Sequence, residues 1–121
     1  MYARSIDFKL ETTDATLTGA LRIPVKTDIT TMIEARIRGR RTGGTAGAVG
    51  DSAWYTLTGA YKNVGGVLTG IGTPNLIGGE DQAGWNVALS TVGTDAVVAV
   101  QGAANNIVTW EGTVSIYIVG A

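Results

Sequence analysis

The strongest pattern in the chain is an alternation of apolar and polar residues, which places successive side chains on opposite faces of a β-sheet. Between residues 33 and 41, one parity is apolar and the other charged: Ile33, Ala35, Ile37 and Gly39 alternate with Glu34, Arg36, Arg38 and Arg40. Between residues 107 and 119, Val108, Trp110, Gly112, Val114, Ile116 and Ile118 alternate with Thr109, Glu111, Thr113, Ser115 and Tyr117. Both segments are therefore predicted to be half-buried strands.

Shorter strand-like runs fill the rest of the chain, at residues 17–23, 53–62, 67–71, 85–89 and 96–101. Turn-forming residues separate them, among them Pro24, Gly65-Gly66 and Gly93-Thr94, and residues 43–51 are predicted to form a loose loop. No segment carries a sustained helical period. The pattern predicts an all-β fold, an antiparallel β-sandwich or jelly roll of about seven to eight strands.

A chain of 121 residues supports one hydrophobic core, so residues 1–121 are predicted to form a single β-sandwich domain. Two facing sheets would bury Ile37, Tyr55, Leu57, Trp85, Val87, Val98, Val100, Trp110 and Val114. Residues 1–14 are a possible edge strand or an arm that reaches a neighbouring subunit. Ile6, Phe8 and Leu10 alternate there with Asp7 and Lys9, so these three apolar residues are candidates for an interface.

The composition removes most catalytic and metal-binding chemistry. The chain has no cysteine and no histidine, which excludes disulfides, thiolate sites and the commonest general base. No serine lies in a Gly-x-Ser-x-Gly motif, and the adjacent carboxylates Glu80 and Asp81 fit a solvated turn better than an acid/base pair or a calcium loop. We therefore expect no enzymatic activity, no catalytic residues, no cofactor site and no metal site.

The net charge of -1 conceals an uneven distribution. Residues 1–62 carry nine basic and six acidic side chains, a net charge of +3, whereas residues 63–121 carry four acidic side chains and no basic one. Two interpretations are open. Copies of the chain could pair head to tail, basic half against acidic half, or a compact fold could mix the two halves so that the asymmetry disappears.

The period-two spacing of Arg36, Arg38 and Arg40 aligns three guanidinium groups on one face of a strand. Such a row could be a solvated sheet surface, a subunit contact, or a site for an acidic glycan or phosphate. Trp54 and Tyr117 fall on the polar parities of their strands, where an exposed aromatic ring could anchor an interface or a sugar. A twist or bulge would instead turn either ring into the core.

Nucleic acid and membrane are not expected as partners. The sequence pI is about 5.2, and no aromatic residues alternate with the arginines as they do in single-strand binders. No run of about 18 apolar residues is present, and the first ten residues lack the apolar core of a signal peptide.

Several segments together resemble a known class of proteins. They are Glu11–Thr16, Glu34–Thr42, Gly59–Gly66, Gly79–Val87, Val98–Gly102 and Ile107–Gly112. Taken together they are similar to the small β-sandwich domains of virion proteins of tailed bacteriophages, found in head decoration or cement proteins and at the ends of tail fibres.

This resemblance implies a non-enzymatic structural protein of the virion, made in the host cytoplasm. Because the sequence starts at Met1 without a shaft ahead of the domain, the first expectation is a capsid decoration or cement protein that binds the major capsid protein or another virion protein. The alternative is a tail-fibre or receptor-binding module that contacts a host-surface glycan. The resemblance also implies a homotrimer.

Overall fold

The computed structural model describes residues 2–120, so the predicted domain limits at residues 1 and 121 lie outside the described part. These residues form nine antiparallel strands. Their bounds are β1 Tyr2–Thr12, β2 Thr18–Pro24, β3 Ile29–Gly44, β4 Ser52–Val64, β5 Val67–Gly70, β6 Asn75–Glu80, β7 Asn86–Val92, β8 Asp95–Gln101 and β9 Asn106–Gly120. The all-β prediction is confirmed, with one or two strands more than expected.

The strands form two sheets. The six-stranded sheet has the order β1-β9-β3-β4-β5, and β6 pairs with β4 beside β5. The three-stranded sheet has the order β2-β8-β7. The two long alternating segments of the sequence, β3 and β9, lie next to each other in the middle of the six-stranded sheet and pair over nearly their whole length. The geometry is that of a β-sandwich.

The core lies between the two sheets, and all nine residues predicted to be buried there are buried. Its centre is an aromatic cluster in which Trp85 meets Trp110 edge to face at 5.7 Å and Tyr55 stacks on Trp110 at 6.5 Å. The Trp110 indole N–H donates to the Thr12 hydroxyl at 2.9 Å, which ties the end of β1 to the core. Gly39 leaves room for this indole, since a Cβ there would lie 2.6 Å from the ring.

The segment expected to be a loose loop, residues 43–51, is well tied down. Arg41, which has the inward parity of β3, is 9% exposed and donates to the carbonyls of Gly44 and Ala46, both at 2.7 Å. The Asp51 carboxylate accepts hydrogen bonds from the Ala48 N–H at 2.9 Å and from the Gln82 amide at 2.7 Å. These bonds order the β3–β4 connection and join it to Gln82 in the β6–β7 turn.

The two charged halves of the sequence do not stay apart in the fold. Strand β9, from the acidic half, lies between β1 and β3, from the basic half. Glu111 is therefore in register with Lys9 on one side and Arg38 on the other, and Asp95 pairs with Arg22 at 2.9 Å. The uneven charge along the sequence thus gives no ground for head-to-tail pairing.

Candidate functional site on the outer face of the large sheet

The candidate site is the outer face, which we define as the side of the six-stranded sheet turned away from the three-stranded sheet. On β3 it carries Arg36, Arg38 and Arg40, all exposed. The ladder pairs Arg38 with Trp54 on β4, and Met32 with Tyr117 on β9. Five of the predicted interface residues therefore share one face of one sheet, because they lie at positions of the same parity on three paired strands.

Trp54 is the most prominent side chain of the outer face. It is 56% exposed, whereas Trp85 and Trp110 are 1% and 0% exposed. Its indole lies over Gly79 of β6, because a Cβ added at Gly79 would come within 3.2 Å of the indole nitrogen. The glycine at this paired position thus leaves space for the exposed indole. The alternative that Trp54 is buried in the core is wrong.

Two shallow grooves meet beside Trp54. One, of about 480 Å³, runs between Trp54 and the end of β6. The other, of about 370 Å³, crosses β3 and β9 beside Arg38 and Arg40. Their shared wall is Ser52 and Ala53. The first is lined by Ser52, Ala53, Trp54, Gly79, Glu80 and Asp81, and the second by Arg38, Gly39, Arg40, Thr42, Ser52, Ala53, Thr109 and Glu111.

The cations of the outer face differ in how they are paired. Within residues 2–120, ion pairs shorter than 4 Å join Arg36 to Glu34, at 3.7 Å, and Arg22 to Asp95. Arg38 and Arg40 thus have no carboxylate that close in the described part of the chain. Exposed guanidinium groups without an intramolecular partner keep their fork of N–H donors for an acceptor from outside.

The carboxylates Glu80 and Asp81 lie where β6 ends and the turn towards β7 begins, and both residues are exposed, as predicted. Glu80 is the last residue of β6, and Asp81 continues the pairing: its N–H donates to the Ser52 carbonyl at 3.0 Å, and its carboxylate accepts the Ser52 N–H at 2.8 Å. One carboxylate oxygen of Asp81 is therefore engaged in holding the end of β6 against β4. The main role of Asp81 is structural, as part of the groove wall.

The remaining outward positions are rich in hydroxyl groups. Thr56 and Thr58 continue β4 beyond Trp54, and Thr109, Thr113 and Ser115 do the same on β9. At the far end of the face, an apolar hollow of about 240 Å³ is lined by Thr30, Met32, Tyr117, Ile118 and Val119. The outer face is thus hydroxyl-rich, with the exposed indole and the unpaired Arg38 and Arg40 towards one end and the apolar hollow at the other.

Ile6, Phe8 and Leu10 do not lie on the outer face. They have the inward parity of β1, are half-buried, and pack against the rim of the core. Phe8 covers Gly112 of β9, since a Cβ there would collide with the ring. Their predicted part in a subunit contact stays a prediction, and they could enter one only along the sheet edge.

Two asparagines near turns, Asn63 and Asn106, use their side-chain amides within the fold. Asn63 is buried, donates to the Val25 carbonyl at 2.8 Å and accepts the Gly66 N–H at 2.9 Å. Asn106 is buried and exchanges hydrogen bonds with Gln82. Both amides support the fold.

No group of three or more potential metal-ligating side chains was found in residues 2–120, and no helix in this part is long and apolar enough to cross a membrane.

Comparison with known proteins relates the fold to phage tailspikes. No protein-family model and no curated protein matches the chain. Among solved structures it is similar to the tailspike protein of Acinetobacter baumannii phage AM24, with a TM-score of 0.56 and 10% sequence identity; the match covers 98% of this chain and 27% of the tailspike. The chain thus spans little more than a quarter of that protein, and at this identity the likeness shows the fold alone.

Two further tailspikes match at a TM-score of 0.41 and 14% identity, over 98% of this chain. They are gp49 of Acinetobacter baumannii bacteriophage Fri1, described as a capsular polysaccharide depolymerase, and the tailspike of Acinetobacter phage vB_ApiP_P1, covered over 19% and 21% of their lengths. At this TM-score they carry no further argument.

Proposed function

We propose that this chain is a host-contact module of a bacteriophage tail spike or tail fibre, and that it binds a surface polysaccharide through the outer face without cleaving it. The likeness to the AM24 tailspike supports this assignment, because nearly the whole of this chain superposes on one module-sized part of that protein. The proposal places the chain in the virion.

The observation that carries the binding function is the exposed indole of Trp54, which lines one of the two adjoining grooves. Large aromatic rings are energetically favourable to bury and are mostly covered in monomeric domains. An exposed indole beside a glycine offers an apolar surface for the C–H face of a sugar ring. The hydroxyl groups around that ring would meet Arg38, Ser52 and Glu80 at the groove walls.

A tail position is better supported than the capsid shell, which was the first expectation from the sequence. The structural likeness that supports the proposal is to a tailspike, the AM24 protein, and not to a decoration or cement protein. A contact with the major capsid protein has no support from them. The homotrimer expected from the resemblance stays a prediction.

We propose binding without catalysis because the sequence lacks histidine and cysteine and because Asp81 is engaged with the β4 backbone. In a spike that degrades polysaccharide, such a module would hold the substrate or the cell surface while another part of the protein performs the cleavage.

A binding assay with purified capsular and O-chain polysaccharides tests this proposal. In the wild type, Trp54 emission reports where the polysaccharide binds, because the other two tryptophans are buried. Isothermal titration calorimetry, which needs no tryptophan, measures the affinity of the wild type and of every variant. We expect at least one polysaccharide to bind, and Trp54→Ala to weaken that binding roughly tenfold, the effect of about 1–2 kcal/mol from an exposed aromatic contact.

Val92→Ala is the matched control, since Val92 is similarly exposed but lies on the three-stranded sheet. It should leave the affinity unchanged. Equal affinities of the wild type and Trp54→Ala for a bound polysaccharide, or no binding across a broad panel, would remove the outer face as a glycan site.

A further inference from the structure

The charges around Trp54 differ between its two sides. In the pairing of the six-stranded sheet, Arg38 of β3 lies directly opposite Trp54 on one side, and Gly79 of β6 lies opposite it on the other. Glu80 and Asp81 follow Gly79 and line the same groove as Trp54. The exposed indole therefore has a guanidinium group as its neighbour towards β3 and two carboxylates as its neighbours towards β6.

Arg38 is the cation placed most directly beside the indole. Directly opposite residues on one face of an antiparallel pair have Cβ atoms about 4.5–5.5 Å apart. Trp54 and Arg38 form such a pair, and both side chains are exposed. Within residues 2–120, Arg38 has no carboxylate closer than 4 Å. Its N–H donors are thus available to a ligand that lies on the aromatic ring.

The acid next to Arg38 does not cancel its charge. Glu111 of β9 faces Arg38 on the side away from Trp54. Glu111 also faces Lys9 of β1, so this row holds two positive charges and one negative charge. The Glu111 carboxylate is therefore shared between two cations, and it lies on the far side of Arg38 from the indole.

Arg40 extends the cationic side along β3. It lies two residues beyond Arg38 on the same exposed face, about 7 Å along the strand. Its guanidinium group lies close to Gly50, because a Cβ added there would come within 3.1 Å of an Arg40 nitrogen. The β3–β4 connection, which the hydrogen bonds of Asp51 order, thus lies beside a second cation of the groove that contains Arg38.

We propose that the polysaccharide bound at the outer face is acidic and presents a sugar with a carboxylate on its ring, such as a uronic acid. The C–H face of this sugar lies on the Trp54 indole, and its carboxylate accepts hydrogen bonds from Arg38. Its hydroxyl groups on the opposite side donate to Glu80. This inference names the ligand class of the proposed glycan site and rests on that proposal.

The unpaired cations favour an acidic sugar over a neutral one. A guanidinium group binds a carboxylate through two parallel hydrogen bonds, and such charge-assisted bonds are about twice as strong as neutral ones. The carboxylates beside β6 also fix the orientation, since they repel an acidic group placed on their side. A carboxylate on the ring itself stays within reach of Arg38 when the ring stacks on Trp54, whereas a phosphodiester lies between two rings.

Chemical reduction of the ligand tests this inference. Carbodiimide activation followed by borohydride converts the uronic acids of a polysaccharide into neutral sugars and keeps their linkages. Capsular polysaccharides that contain glucuronic or galacturonic acid are compared with their reduced forms by isothermal titration calorimetry. We expect an acidic form to bind and its reduction to weaken binding roughly fivefold, which corresponds to the upper range for an exposed charge pair.

Substitutions locate the contact. Arg38→Gln should weaken binding of the acidic form roughly fivefold but should hardly affect the reduced form, which lacks the carboxylate that Arg38 contacts. Trp54→Ala should weaken binding of both forms. Arg22→Gln is the matched control, because it removes an exposed guanidinium from the three-stranded sheet, and it should leave both affinities unchanged. Combining Arg38→Gln with Arg40→Gln should remove most of the salt dependence of binding, since salt screens exposed charges.

The outcomes separate this inference from the proposed function. Equal binding of the acidic and reduced forms, or binding confined to neutral polysaccharides, would overturn the acidic ligand and leave the glycan site in place. A loss of affinity on reduction that is the same in Arg38→Gln as in the wild type would overturn the contact with Arg38. Binding of dextran sulfate as strong as that of the acidic polysaccharide would mean attraction by charge alone and would also overturn the inference. No binding across the panel would overturn both proposals.

Discussion

The buried hydrogen bond between Trp110 and Thr12 gives the sharpest prediction about stability. Thr12→Val replaces the hydroxyl by a methyl group of similar size and leaves the indole N–H of Trp110 without its acceptor at 2.9 Å. Both residues are buried, so in this geometry water does not substitute for the lost acceptor. An unsatisfied buried donor costs about 1–3 kcal/mol, and the added methyl group offsets part of this. We expect a net loss of about 1–2 kcal/mol in the free energy of unfolding.

Urea unfolding followed by far-ultraviolet circular dichroism measures this loss, and two further variants isolate its cause. Thr12→Ser keeps the acceptor and removes only a methyl group, worth about 0.8 kcal/mol. Trp110→Phe removes the donor. In that background, Thr12→Val should therefore lower the free energy of unfolding much less than it does in the wild type. The difference between the two costs, about 1–2 kcal/mol, is the coupling energy of the hydrogen bond.

Two outcomes would refute this reasoning. Thr12→Val could be as stable as the wild type, or it could cost the same with phenylalanine at position 110. Either result would mean that the contact does not hold the end of β1 to the core.

Two further predictions concern pH. The pKa of Asp51 is lowered below its usual 3.8, mainly by the hydrogen bond from the Ala48 N–H and next by that from Gln82. The ionised Asp51 therefore stabilises the fold above about pH 3.8, and this stabilisation is lost as the pH falls through the lower pKa of the folded state. The stability difference between the wild type and Asp51→Asn should therefore shrink on acidification, and a constant difference in acid unfolding would contradict this. Burial, with a smaller effect of the Glu80 charge, raises the pKa of Tyr55 from 10.0 to about 12. Between pH 10 and 12 Tyr55 therefore deprotonates in the unfolded chain but not in the folded one, and the wild type should lose stability over this range. Tyr55→Phe should lose less stability than the wild type between pH 10 and 12. At neutral pH the substitution should change the free energy of unfolding little, because the Tyr55 hydroxyl has no hydrogen-bond partner within residues 2–120. The same alkaline loss of stability in both proteins would contradict this prediction.

The fold was largely predictable from the sequence because its longest strands each have one buried and one exposed face. In β3 and β9 the period of two continues for more than ten residues, which fixes both the strand and the direction of each side chain. That is also why Arg36, Arg38 and Arg40 were placed correctly on an outer surface. Strand β6 was missed because it is exposed on both faces and contains Gly78 and Gly79, so it shows no alternation.

The parts that failed depend on strand order and on pairing between distant segments. Nothing local indicates that β9 inserts between β1 and β3, and this order mixes the two charged halves. The position of the Trp54 indole depends on its pairing with Gly79. That pairing is set by the register of β6, the strand that the sequence did not reveal. The loop over residues 43–51 looked loose because part of its order comes from contacts with distant residues, Gln82 and Asn105, that no local pattern reveals.

The most direct test of the central claim is to map a bound polysaccharide onto the protein by nuclear magnetic resonance. The indole N–H of Trp54 and the amides of β3 and β4 around Arg38 should shift on titration, while the exposed face of β2 and β7 on the three-stranded sheet stays unchanged. Shifts confined to the three-stranded sheet, or binding that leaves the Trp54 resonance in place, would contradict the assignment of the outer face as the host-contact surface.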